Sequence, residues 1–303
     1  MVDKGDIFPK DVSYTTVYRL LKKHGMIGRE VCKAPERKRF AYDTVNTLWQ
    51  GDMSIGPYLI VNGKKLRTYL FAFIDDCSRV VPFAQFFFSE KFDSLKAVFK
   101  EALIRRGIPK IVYVDKGKIY RSDVFHIACA SLGIALTHTQ PYDAASKGKI
   151  ERFFGTVKTR FFPLLKLKPA VSIEELNQRF WQWLEEDYHR KVHASLGMTP
   201  QDVYLSQVTR IRMVDDPASL DPLFLKRDYR KVKHDGTISV NSILYEVPPR
   251  FIGQRIEVRF DAENVYIYED GVSVGKATLV NFSDNAHVKR ERSLSFRDMQ
   301  KEV

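Results

Sequence analysis

Apolar residues recur at helical spacing near the start of the chain, where Val17, Leu20 and Leu21 line one side of a short segment. Ser13 stands in capping position before it, and Lys22-Lys23-His24-Gly25 ends it. A helix-turn-helix needs an earlier helix, and only 12 residues precede Ser13. Residues 1–43 therefore read as a helical remnant. It is either part of such a motif, with residues upstream lost or the motif vestigial, or an ordinary capping helix. The run Lys33-Ala34-Pro35-Glu36-Arg37-Lys38-Arg39-Phe40 follows as a basic linker.

Over residues 44–166 the pattern alternates between periods of two and 3.6. The nearly continuous apolar run Tyr69-Leu70-Phe71-Ala72-Phe73-Ile74 predicts a strand buried on both faces. With the approach Thr47-Leu48-Trp49-Gln50-Gly51 and residues 80–88, it suggests an antiparallel meander. Leu95, Val98, Phe99, Ala102 and Leu103 then predict a helix that Gly107 and Pro109 terminate. A strand at Ile111-Val112-Tyr113-Val114, a helix opening at Ser122 and a strand at Ile134-Ala135-Leu136-Thr137 follow. After a polar loop over residues 140–148, Ile150, Phe153, Phe154, Val157, Phe161, Leu164 and Leu165 fall on one helix face. Three strands followed by alternating helix and strand are the order of a ribonuclease-H-like α/β domain with a mixed five-stranded sheet.

Residues 167–222 read as a helical extension rich in aromatic and basic side chains, from Ser172 to Leu205 above all. Residues 223–282 carry short β-patterned runs between the turns His234-Asp235-Gly236, Asp261-Ala262-Glu263-Asn264 and Glu269-Asp270-Gly271. The Asp-Gly pairs are hairpin signals, and the spacing predicts a small all-β barrel. Residues 283–303 form a polar tail.

Composition narrows the class. At 303 residues with 44% hydrophobic content the chain supports two or three globular domains. A formal net charge of +12 points to a polyanionic partner. No stretch of about 18 apolar residues is present, so no membrane partner is expected. Cys32, Cys77 and Cys129 are odd in number and lack metal-ligand spacing, which fits reduced thiols in a cytoplasm.

Three carboxylates carry the chemistry. Asp52 ends one apolar approach, Asp115 ends the strand Ile111-Val112-Tyr113-Val114, and Glu151 lies in the first turn of the last helix of the α/β region. Thirty-five residues separate Asp115 from Glu151. Converging carboxylates make a hard-oxygen site for Mg2+. Two such ions, roughly 3.5–4 Å apart, clamp the attacking and leaving oxygens of a phosphodiester. Asp75 and Asp76 end the buried strand before Cys77-Ser78-Arg79 and are rivals for a catalytic role. His189 and His193 share a spacing that zinc ligands use on helices, but no third ligand is evident, so packing and phosphate contact is the expectation. Lys147, Lys149, Arg152, Lys158 and Arg160 decorate the Glu151 helix, and Lys158 falls seven residues beyond Glu151 on the same face.

The blocks Leu48-Trp49-Gln50-Gly51-Asp52, Ile74-Asp75-Asp76-Cys77-Ser78-Arg79, Val114-Asp115-Lys116-Gly117 and Lys147-Gly148-Lys149-Ile150-Glu151-Arg152-Phe153-Phe154 resemble the integrase core of DDE transposases. The stretch from Tyr188 through His193 to Pro200 resembles the block after that core in bacterial members, and the C-terminal region resembles the small barrel of Mu-like transposases. The resemblance spans about residues 44–280. It implies that Asp52, Asp115 and Glu151 are the catalytic metal ligands for two Mg2+ ions, with Mn2+ able to substitute. Asp52 would bridge the ions, and Asp115 and Glu151 would each hold one. The resemblance treats Asp75 and Asp76 instead as a structural corner, with Asp76 pairing Arg79. Lys116 stands where many members have Asn.

The implied activity is cleavage of mobile-element ends followed by joining of their 3′-hydroxyls to target DNA. Implied partners are DNA and further copies of the chain, in a bacterial cytoplasm at the nucleoid. Lys147, Lys149, Arg152, Lys158, Arg190 and Lys191 are the expected DNA contacts. The residues do not decide whether an accessory ATPase helps choose targets. Two other readings stay open: a silent DNA-binding regulator derived from a transposase, and a stand-alone metal nuclease.

Overall fold

The computed structural model describes residues 12–26, 41–139 and 147–281. The linker, most of the loop over residues 140–148 and the polar tail lie outside them. The chain divides into two compact units, residues 1–41 and 42–303. In the first, α1 (Tyr14–Lys23) begins where Ser13 accepts the amide of Thr16 and ends on Lys22 and Lys23. None of its residues is buried, and Leu20 is 57% exposed.

The second unit opens with β1 (Leu48–Val61), β2 (Lys64–Asp75) and β3 (Ala84–Phe87), an antiparallel meander. Then α2 (Phe92–Arg106), β4 (Ile111–Val114), α3 (Asp123–Ser131) and β5 (Ala135–His138) follow. The five-stranded sheet has the order β3-β2-β1-β4-β5, with β4 parallel to β1 and β5 parallel to β4. This is the mixed sheet of the ribonuclease-H-like class. As the sequence predicts, β2 is buried on both faces. Phe71 and Phe73 join Phe99, Val112 and Phe125 in one core cluster. Leu70, Ala72 and Ile74 join Phe86, Phe153 and Phe180 in the other.

Two strand expectations need correction. Asp52 lies inside β1, because the strand runs on through a bulge between Ile55 and Tyr58 to a tight turn at Asn62 and Gly63, with φ of 50° and 72°. The strand expected over residues 80–88 shrinks to β3. Arg79 adopts φ of 66° and Pro82 has no N–H to donate, so the ladder starts late.

The helix carrying Glu151 is α4 (Gly148–Thr156), and it does not continue as one α-helix. A π-helical turn at Val157–Phe161 leads into α5 (Phe162–Leu167). The extra residue per turn rotates the later positions. Ile150, Phe153, Phe154, Val157 and Phe161 are buried, whereas Leu164 is exposed. A second π-helical turn, Leu184–Tyr188, ends α6 (Ile173–Trp183). The two turns meet through an Arg160–Asp187 ion pair and through Phe161, 5.5 Å from Trp183 between ring centres. The helical stretch expected to Leu205 is thus interrupted, and α7 (Pro200–Leu205) starts afresh behind Thr199.

A 3-10 segment, Pro217–Phe224, returns to the first core cluster. Leu220 and Phe224 are buried there, Phe224 lying 6.2 Å from Phe99 between ring centres. Upstream of it, the Arg212 carbonyl accepts the Ile108 amide at 2.7 Å. Gly107, at φ of 81°, leaves room for it, since a Cβ there would sit 2.6 Å from that oxygen.

The C-terminal region is all β. One sheet holds β6 (Lys226–Lys231), β9 (Arg255–Phe260), β10 (Val265–Glu269) and β11 (Val272–Lys276); the other holds β7 (Thr237–Val240), β8 (Ile243–Glu246) and β12 (Thr278–Leu279). All pairings are antiparallel. Val240, Val258 and Ile267 from both sheets share one core with Phe251 of the 3-10 turn Pro249–Phe251.

Candidate active site

The parallel register of β1 on β4 pairs Leu48 with Ile111, Trp49 with Val112 and Gln50 with Tyr113. Continued by two residues, that offset brings Asp52 beside Asp115 at the rim of the sheet. Gly51 makes the approach close, since a Cβ there would lie 2.5 Å from the Phe73 ring and 3.0 Å from Val114. Each aspartate uses one oxygen on its own backbone. Asp52 Oδ1 accepts the Met53 amide at 2.9 Å, and Asp115 Oδ1 accepts the Gly117 amide at 2.7 Å. The other oxygens face one ammonium. Lys147 Nζ lies 2.8 Å from Asp52 Oδ2 and 3.8 Å from Asp115 Oδ2. Its side chain is only 8% exposed.

A conserved geometry is not needed to explain why α4 begins beside this pair, because three side chains hold it there. Gln50 Oε1 accepts the Ile150 amide at 3.2 Å. Lys149 pairs with the buried Asp76, which also accepts the Tyr42 amide. Burial lowers the pKa of the Lys149 ammonium, and Asp76 opposes that shift. The expected Asp76–Arg79 pairing is thus replaced by Asp76–Lys149, with Arg79 donating to the Cys77 carbonyl. Asp75 forms the corner, accepting the Asn46 amide and the Ser78 amide and hydroxyl. Burial raises its pKa, and those hydrogen bonds oppose the rise.

Glu151 is exposed, four residues beyond Lys147 and on the same side of the helix start. Among the described residues, no three acidic, histidine or cysteine side chains are grouped closely enough to hold a metal ion. The structure therefore brings Asp52 and Asp115 together at Lys147 and does not bring Glu151 into that group. Tyr120, which the sequence did not single out, is buried against this site. Burial, then the charges of Asp52 and Asp115, push its pKa well up. Its hydroxyl has no hydrogen-bond partner among the described residues.

A second feature lies further along α4. Arg152, Thr156, Arg160, Tyr188, Lys191 and His193 line an open groove of about 460 Å³ together with the chain through Ser195. Among the described residues, no carboxylate lines it. His193 is held below its ordinary pKa by burial and by the charges of Arg79 and Arg152. Of the expected DNA contacts, Arg152 and Lys191 reach this groove, and Lys158 and Arg190 are exposed outside it. Lys147 and Lys149 instead turn inward to carboxylates. His189 and His193 do not share a helix face, because the helix ends at Tyr188.

Residues 43–144 match the integrase core domain family, and residues 217–278 match the Mu transposase C-terminal domain. The chain is thus similar to the DDE transposases and integrases in two separate regions. A putative transposase for insertion sequence element IS5376 of Geobacillus stearothermophilus is 27% identical over 81% of this chain and 62% of its own length. The transposase for transposon Tn552 of Staphylococcus aureus is 24% identical over 73% of this chain and 50% of its own. The chain thus spans 50% to 62% of the length of these transposases. The HTLV-2 integrase catalytic core domain, solved in complex with magnesium, is 22% identical over 53% of this chain and 97% of that one, with a TM-score of 0.43. In this integrase core the matched residues include Asp52 and Asp115, and Lys147 and Glu151 follow just beyond them. No helix among the described residues is long and apolar enough to cross a membrane.

Proposed function

We propose that this chain is a metal-dependent polynucleotidyl transferase that cleaves mobile-element DNA ends and joins them to target DNA. The observation that carries the reading is the pair Asp52 and Asp115, abreast on neighbouring strands, with one oxygen of each aimed at the same positive charge. That donor set fits a hard divalent cation, and Glu151, exposed one turn from Lys147, would be the third ligand once the ion is bound. Asp52, Asp115 and Glu151 would hold two Mg2+ ions, or Mn2+, which supply charge neutralisation at the attacked phosphodiester.

Two phosphoryl transfers follow in sequence. Attack by water breaks the P–O3′ bond at the element end and frees a 3′-hydroxyl. Attack by that hydroxyl on a target phosphodiester forms a new P–O3′ bond and releases a target 3′-hydroxyl. Neither step needs a covalent link to the protein. In the groove Arg152 and Lys191 offer cations to the DNA backbone, whose contacts position without reading sequence. Joining two ends calls for at least two copies of the chain on DNA.

The test is cleavage and joining of labelled element-end DNA in Mg2+ and Mn2+. Wild-type activity should vanish in Glu151→Gln while DNA binding persists. One observation favours a second reading, a silent DNA-binding regulator: the Lys147 ammonium already stands between the aspartates. Tight DNA binding by the wild type with no cleavage in either metal would move that reading to first place. Cleavage without joining would instead favour a simple nuclease.

A further inference from the structure

Lys147 neutralises the two aspartates more completely than a surface lysine could. Its ammonium is nearly buried, 2.8 Å from Asp52 and 3.8 Å from Asp115. The other oxygen of each carboxylate is tied to a backbone amide, of Met53 and of Gly117. Those ties keep both outer oxygens pointed at one place whether or not Lys147 is there. An ammonium offers donors only and no lone pair. It cannot share that place with a second cation, which like charge would repel.

We propose that Lys147 is an internal stand-in cation, which holds Asp52 and Asp115 in register and must leave when a divalent ion enters. This rests on the reading of the two aspartates as metal ligands. The local structure lets Lys147 leave cheaply. It is the N-cap residue of α4, but its side chain makes no capping hydrogen bond. The start of α4 is anchored instead through Ile150 on Gln50 and Lys149 on Asp76. Lys147 can therefore swing out without releasing the helix that carries Glu151.

The displaced ammonium then needs another anion, and a DNA phosphate provides one. Metal loading and DNA binding become coupled through one side chain, each favouring the other. This reconciles the inward position of Lys147 with its expected role at the DNA backbone.

Two measurements on the full chain test the proposal. The first is Mn2+ binding, by calorimetry, to the wild type and to Lys147→Met. The variant should bind the ion about tenfold more tightly, since a like charge has gone. The second is acetylation of Lys147 by an amine-reactive ester, read by mass spectrometry on the wild type. Its reactivity should be low without metal and rise several-fold in saturating Mg2+. Should Lys147→Met fail to fold, the labelling decides alone. Wild-type Mn2+ binding with no gain in the variant, and Lys147 reactivity indifferent to Mg2+, overturns the proposal while leaving the metal ligands standing. Absence of Mn2+ binding by both proteins removes the metal-ligand reading and the proposal with it.

Discussion

His189 is 1% exposed and fully engaged: Nε2 accepts the Val81 amide at 3.0 Å, and Nδ1 donates to Glu185 at 3.0 Å. Both bonds suit the neutral ring. Burial lowers its pKa below 6.5, and Glu185 only partly opposes that. The unfolded chain then binds more protons than the folded one below 6.5, so stability is complete above that pH and falls beneath it. Urea unfolding at pH 7.5 and pH 5.2 should show the wild type losing stability at the lower value. His189→Gln should flatten that dependence and cost about 1–3 kcal/mol at pH 7.5 through the Val81 amide. Single residues also show what was legible. Asp52 and Asp115 could be found from apolar runs ending in an acid beside glycine. The inward turns of Lys147 and Lys149 could not, because nothing local separates a lysine facing a carboxylate across the fold from one facing solvent. The hold that Gln50 has on the start of α4 gave no local signal, since its partner Ile150 lies 100 residues away in the chain.

At the scale of elements, the sheet solves the problem of its free edge. β3 is the outer strand on one side. Asn177 of α6 covers it, donating to the Phe86 carbonyl at 3.0 Å and accepting the Phe86 amide at 2.7 Å. Trp181 adds a bond from its indole N–H to the Ala84 carbonyl at 2.8 Å. Both edge groups of Phe86 would otherwise be unpaired and inviting to another strand. Asn177→Ala should destabilise the protein by about 1–3 kcal/mol in chemical denaturation, without altering DNA contacts. The elements that the sequence announces are those with local causes: α2 by its apolar stripe, α3 by the Ser122 cap, β4 by its apolar run. The two π-helical turns have no such cause. They arise where α4 and α6 must aim Phe161, Trp183 and Tyr188 into one cluster, a demand visible only when both helices are present. The short β3 and the long β1 likewise follow from backbone torsions and pairing across the fold.

For the whole molecule, charge is the property that composition made plain, and the structure shows where some of it goes. Lys147, Lys149 and Arg160 are matched by Asp52, Asp76 and Asp187. Arg152 and Lys191 line a groove that, among the described residues, has no acid in its lining. In DNA-binding titrations against salt, Arg152→Ala and Lys191→Ala should each weaken affinity alike for all sequences and reduce the log–log slope by about 1. Lys166→Ala, outside the groove, should leave the slope unchanged.

The Pro217–Phe224 segment bears on how such a chain is made. The aromatic pocket around Phe99 and Phe125 is finished by Leu220 and Phe224, about a hundred residues downstream. A nascent chain emerging from the ribosome has every strand of its five-stranded sheet by His138. It still lacks the plug for that pocket until Phe224 has cleared the exit tunnel. Synthesis therefore exposes an unfinished apolar surface for the time needed to add that stretch, at about 5–20 residues per second. That interval is when a chaperone, or a second nascent copy, has access to the core.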